Sequence, residues 1–166
     1  MIILGVDPGL RVTGFGAIQE GANGQLRCLG YDHCKTDQSK PVPFCLNEIA
    51  TKLRSIIGQL NPTQMAVEDI FLNKNFKAAM KLGQVRGVIM LIAAESKIPI
   101  SQYTPRQIKS VVTGYGNTGK EGIQNMVAKL LNLKKNPEPF DAADALAIAI
   151  TDSILSNSPT YKQTNI

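Results

Sequence analysis

The run Ile2-Ile3-Leu4-Gly5-Val6 is apolar at every position, and Asp7-Pro8-Gly9 closes it. A strand apolar on both faces must be covered on both, which points to a sheet flanked by helices. Asp7 then stands at the end of a buried strand, where an ionised acid is costly without a partner. The same arrangement returns at Glu68, after Met65-Ala66-Val67, and at Asp141 and Asp144, which open the stretch DAADALAIAI. Three such places in one small chain suggest a common cause. A divalent cation held by oxygen ligands is the simplest, and carboxylates around Mg²⁺ suggest phosphodiester chemistry.

The rest of the chain supplies the sheet and its cover. Residues 2–7 read as the first strand, and Pro8-Gly9 as a turn. Val12 to Ile18, alternating with glycines, and Leu26 to Cys34 complete an antiparallel meander. Thr36 to Pro43 is a polar loop. Phe44 to Leu60 carries apolar residues at Leu46, Ile49, Ala50, Leu53, Ile56, Ile57 and Leu60, the period of a helix. Gln64 to Glu68 is a short strand, parallel to the first because a helix precedes it. Asn75 to Glu95 is a long helix, basic at first and then apolar on every side from Val88 to Ala94. That apolar half suits either deep core or a subunit contact. Ile98 to Tyr103 is a fifth strand. Thr104 as N-cap and Pro105 at the first helical position start a helix to about Val112. Helices over Lys120 to Leu133 and Asp141 to about Leu155 follow. The expectation is a mixed five-stranded α/β sheet, three antiparallel strands plus parallel ones, with the first and fourth strands central. Residues 1–157 read as one domain and 158–166 as a polar tail.

Charge is distributed unevenly. The net charge is +5, yet residues 70–135 hold eleven Lys and Arg against two acids. The four clustered carboxylates belong to the acidic remainder. A basic middle beside an acid pocket fits a nucleic-acid enzyme, the surface holding phosphates and the pocket holding metal. Cys28, Cys34 and Cys45 show no CxxC spacing, and one histidine, His33, makes a zinc site a poor fit. These point to a reduced, cytoplasmic protein. No apolar run approaches the roughly 18–20 residues of a membrane span. MIILGVDPG has no basic leader, so it reads as strand and not as signal peptide.

Asp141 and Asp144, three residues apart, fall on one helix face about 60° apart, and the pattern puts both in the first turn, where the helix dipole favours negative charge. Four close carboxylates would repel and take up protons unless cations neutralise them. Two Mg²⁺ ions, with Mn²⁺ as a substitute, about 3.5–4 Å apart would do so and would orient water for in-line attack. The protein then needs no nucleophile of its own, and no Ser-His-Asp or Cys-His constellation is evident. Asp152 lies near the same helix face but roughly 16 Å along the axis, too far to share those ions.

GVDPGLRVTGFG at the N-terminus, VEDIF at Val67 to Phe71, KLGQVRG at Lys81 to Gly87 and DAADALAIAI together resemble the RuvC family, the bacterial crossover (Holliday) junction endodeoxyribonucleases. The likeness runs in order along nearly the whole chain. It implies an RNase H-like fold and a homodimer acting on four-way DNA junctions. It also implies Mg²⁺-dependent symmetric nicking of two strands in recombination and repair, and delivery by a RuvA–RuvB branch-migration complex. Carried onto this sequence, the family's catalytic and metal-binding acids fall on Asp7, Glu68, Asp141 and Asp144. Phe71 matches the aromatic that stacks on a base at the junction centre, worth roughly 1–3 kcal/mol. Lys109 and Lys120 match basic residues set against DNA near the cut. Lys74, Lys77, Lys81 and Arg86 are expected to contact the phosphate backbone. The apolar half of the Asn75–Glu95 helix is the expected dimer face.

Two positions depart from the family pattern. Gly122 stands where the family usually has Gln, and Asp152 where it usually has a His near the site. The expected consequences are a lost polar contact to DNA and an added negative charge. Three rival readings remain weaker. An RNase H-like nuclease for another nucleic acid, such as precursor ribosomal RNA, would not be expected to carry DAADALAIAI or Phe71 with KLGQVRG. An actin-like ATPase needs two lobes, for which 166 residues are too few. A non-catalytic junction-binding protein would have no need of all four acids.

Overall fold

The computed structural model describes residues 1–69, 76–116 and 118–156. Its elements are β1 (Ile2–Asp7), β2 (Val12–Glu20), β3 (Leu26–Lys35), α1 (Val42–Leu60), β4 (Gln64–Glu68), α2 (Phe76–Glu95), β5 (Ile100–Tyr103), α3 (Pro105–Thr113), α4 (Lys120–Leu130) and α5 (Phe140–Ser156). The five strands form one sheet in the order β3-β2-β1-β4-β5. β1–β2 and β2–β3 are antiparallel, and β1–β4 and β4–β5 are parallel. The expected mixed sheet is present, with β1 at its centre and β4 beside it.

Alternation along the strands divides the core into two. Leu4, Val6, Phe15, Ala17 and Met65 face α1 and α2, where they pack on Ile49, Leu53, Val85, Ile89 and Ile92. Ile3, Ile18, Ala66 and Tyr103 face α5 and its neighbours α3 and α4. Both faces are covered, as an apolar central strand requires.

Element ends shift from the sequence reading for local reasons. β5 starts at Ile100, not Ile98, because the Ile98 N–H closes α2 on the Ala93 carbonyl and Pro99 has no N–H to give. α4 stops at Leu130, short of Leu133, as the chain turns through Asn132 at φ 51. α3 has the expected cap: Thr104 accepts from the Gln107 N–H, and the Gln107 side chain accepts from the Thr104 N–H. The expected tail lies outside the described residues.

One packing feature brings the carboxylates together. α5 lies on β1 and β2 main chain to main chain, over Gly5 and Gly14. A Cβ at Gly5 would overlap the Ala145 carbonyl, and one at Gly14 the Asp141 carbonyl. Only glycine admits so close an approach. Gly5→Val should therefore force the helix off the sheet and cost about 2–3 kcal/mol, measurable as a lower urea midpoint. An unchanged midpoint would mean that α5 is not seated this way.

Candidate active site

Asp7 ends β1 in register with Gly14, and Val6 pairs with Val67, so Glu68 emerges one strand away. Positions 3, 5 and 7 of β1 and 66 and 68 of β4 share the α5 side of the sheet. α5 presents Asp144 to the same place. Asp7, Glu68 and Asp144 line one cleft of about 240 Å³ with Pro105, Ile108, Lys109, Lys120, Ile123 and Ile148. Asp141 does not line it, but its charge acts on both Asp7 and Asp144. α5 begins at Phe140, so Asp141 alone occupies the first turn and Asp144 falls in the second. The expectation of two acids in the first turn is corrected to that extent.

The carboxylates disturb one another. Burial pushes the Asp7 carboxyl well above its ordinary range, and Glu68, Asp144 and Asp141 push it further. Glu68 is raised by burial and by Asp144, against the pull of Lys109, Lys120 and Arg86. Asp144 is raised by burial and by Asp141, while Lys120 and Lys109 pull it down. Lys120 Nζ stands 3.9 Å from Asp144 Oδ2. Among the described residues no three acidic, cysteine or histidine side chains are already closed around a common point. The donor set itself is all oxygen, anionic and partly desolvated, which suits a hard divalent cation and no soft one. Burial and like-charge crowding of this kind are what a bound cation would relieve.

Other expected residues are distributed differently. Lys77 and Lys81 are exposed on α2. Phe71 and Lys74 lie outside the described residues. Arg86 is not on the surface: its side chain is 9% exposed, and it bonds to the Glu68 carbonyl, Asp69 and Gln102. It occupies the inward stripe of α2 with Val85, Ile89 and Ile92, so the expected backbone contact is corrected. Asp152 does not line the cleft. It is buried under the sheet, accepts from the Tyr103 hydroxyl at 2.8 Å, and has its carboxyl pushed up by burial. Gly122 sits half-buried in the first turn of α4 against the Thr118 side chain. Sequence reasoning missed the buried role of Arg86, although its position beside the 85-89-92 stripe carried the signal.

A mixed sheet that gathers acids from β1, β4 and a covering helix defines the class of RNase H-like nucleases. The chain belongs to the family of crossover junction endodeoxyribonuclease RuvC, whose model matches residues 3–152. It is 45% identical over 151 residues to the crossover junction endodeoxyribonuclease RuvC of Brevibacillus brevis, covering 91% of this chain and 90% of that one. Its structure is similar to that of Thermus thermophilus RuvC, at a TM-score of 0.85 and 31% identity over 94% of this chain and 95% of the other. It is also similar to T. thermophilus RuvC in complex with Holliday junction substrate, at a TM-score of 0.87 and 29% identity over 96% and 98%.

Proposed function

We propose that this chain is a divalent-metal-dependent endonuclease that resolves four-way DNA junctions by paired symmetric nicks. The observation that carries the reading is the cleft itself, three acids from three elements faced by Lys109 and Lys120. Residues 1–157 would form the nuclease domain, acting in the cytoplasm in recombination and repair. Among the described residues no helix is long and apolar enough to cross a membrane.

Asp7, Glu68, Asp141 and Asp144 would hold the cations, Asp141 from the first turn of α5 beside the cleft; Mg²⁺, two ions per site, is the proposed metal, and Mn²⁺ would replace it. When bound, such ions supply Lewis-acid stabilisation of the phosphoryl oxygens and a nucleophilic water at neutral pH. The chain's own residues do the rest. Lys109 and Lys120 stand where a scissile phosphate would enter, offsetting its charge as it approaches the acids. Ile108, Ile123 and Ile148 form an apolar wall that limits water in the cleft and so strengthens those interactions. Lys77 and Lys81 offer phosphate contacts along α2, and Phe71 and Lys74 are proposed as junction contacts from the segment before it.

Two opposed strands of a two-fold junction need two sites related by a two-fold axis, which favours a homodimer. The outer face of α2 supports this: Met80, Met90 and Leu91 are exposed, with Gly83 and Gly87 between them. That face, and not the whole apolar half of the helix, is the proposed contact, since Ile89 and Ile92 are core. Delivery of the junction by a RuvA–RuvB complex is proposed from the family resemblance.

A synthetic four-way junction, incubated with and without Mg²⁺, tests the reading. Paired nicks at symmetric positions, dependent on the metal, are expected. Affinity should also fall by about 10³-fold or more between 50 and 200 mM salt if six or more phosphates are contacted. Preferential cutting of RNA, or tight junction binding with no cleavage under any divalent metal, would defeat it.

A further inference from the structure

Among the described residues, the last peptide of β4 lacks the partner on β1 that the sheet would normally provide. The Met65 N–H donates to the Pro99 carbonyl at 2.9 Å, and the Asp69 N–H to the Tyr103 carbonyl at 2.8 Å. Odd-numbered positions of β4 therefore turn their peptide groups to β5, and alternation turns Ala66 and Glu68 to β1. On β1, Val6 is the last residue of that ladder. The next position facing β4 is Pro8, which has no N–H. Among the described residues the Glu68 carbonyl thus reaches the end of the sheet with no main-chain donor opposite it. Arg86 takes that place. Its Nη1 lies 2.6 Å from the Glu68 carbonyl oxygen and 3.0 Å from Asp69 Oδ1, and Nη2 bonds to Gln102 Oε1. One planar guanidinium ties the end of β4 to β5 and α2 together.

We propose that Arg86 is a positioning residue for Glu68: it supplies the hydrogen bond that Pro8 cannot, fixes the main chain carrying the carboxylate, and so sets how tightly the cleft takes up a divalent cation. The inference rests on the metal-dependent nuclease reading of the cleft. A ligand held by a loose support loses affinity even when its own atoms are intact, and such outer-shell losses typically reach about 10–100-fold. The sign separates this role from a purely electrostatic one. Removing a positive charge beside an acid cluster would by Coulomb's law strengthen cation binding. Loss of positioning weakens it.

The experiment is a Mn²⁺ titration of the full chain without DNA, followed by electron paramagnetic resonance of the free ion. R86Q should bind Mn²⁺ about 10–100-fold more weakly than wild type, while junction affinity measured without metal stays within about twofold. R86K, which can reach one acceptor but not span all three, should fall between. Pro8→Ala in the R86Q background restores an N–H opposite the Glu68 carbonyl and should recover part of the loss. Unchanged or tighter Mn²⁺ binding by folded R86Q overturns the proposal, as does a double variant no better than R86Q. Loss of junction affinity with unchanged Mn²⁺ binding also overturns it and returns Arg86 to the phosphate backbone. If R86Q does not fold, R86K decides: weaker Mn²⁺ binding supports the role and wild-type binding ends it. A wild-type protein that binds Mn²⁺ yet never cuts a junction would strike the functional reading alone.

Discussion

Asp7→Asn is expected to abolish junction cleavage and to yield a protein more stable than its parent. The loss follows from position: Asp7 lines the cleft between Glu68 and Asp144 and feels every other acid there. Losing a ligand that supports several kcal/mol of transition-state stabilisation should slow cleavage about a thousandfold or more. The gain in stability follows from the same crowding. Burial and three carboxylates raise the Asp7 carboxyl, so the folded state binds its proton more tightly than the unfolded state does. For a raised acid the favourable contribution is complete below the unfolded value of about 3.8 and is lost as pH climbs through the folded value. At neutral pH without metal, a carboxyl held in this way therefore weakens the fold, and the amide removes that cost, giving about 1–2 kcal/mol. Junction affinity without metal should be preserved. Thermal melts and single-turnover cleavage together check this, and a variant that cuts at the parent rate would refute the assignment of Asp7.

Mg²⁺ should raise the melting temperature strongly at pH 8 and hardly at all at pH 4. Asp7, Glu68 and Asp144 are all raised, so at low pH they hold protons that a cation must displace. As pH rises through their folded values they ionise, repel one another, and offer full charge to the metal. At a hundredfold excess over the dissociation constant, binding adds about 2.7 kcal/mol. For a chain of this length that is about 5–10 °C. Chelation should reverse the shift and stop cleavage together. Scanning calorimetry at the two pH values measures it. Equal shifts at both, or an undiminished shift in Asp7→Asn, would place the metal somewhere other than this cleft.

Much of the fold was legible because each element's period is strong. β1 is apolar throughout, α1 carries a clean helical stripe, and Thr104-Pro105 announces α3. The acid cluster was legible for a related reason: Asp7 and Glu68 each close an apolar run, so topology alone sends them to neighbouring strand ends. Charge counting, by contrast, was blind to phase. Arg86 sits among basic residues in the sequence, but it is one position from Val85 on a helix whose buried stripe continues through Ile89 and Ile92. Its partners, the Glu68 carbonyl and Gln102, are 18 and 16 residues away along the chain, beyond any local pattern. Asp152 was misjudged for the converse reason. Helical geometry kept it from the cation site, but only the sheet beneath α5 shows that Tyr103 receives it. Asp144's turn depended on Phe140 joining the helix, a one-residue boundary that sequence patterns rarely resolve.

The seating of α5 on Gly5 and Gly14 has an evolutionary consequence. A helix docked through its own backbone leaves no room for a side chain at the sheet positions beneath it. Its buried alanines are held to their size by the same closeness, and the hydrolytic centre keeps its spacing only while they stay small. A saturation-mutagenesis survey would show this as three intolerant columns, at 5, 14 and 16, facing a helix whose buried alanine positions reject larger residues.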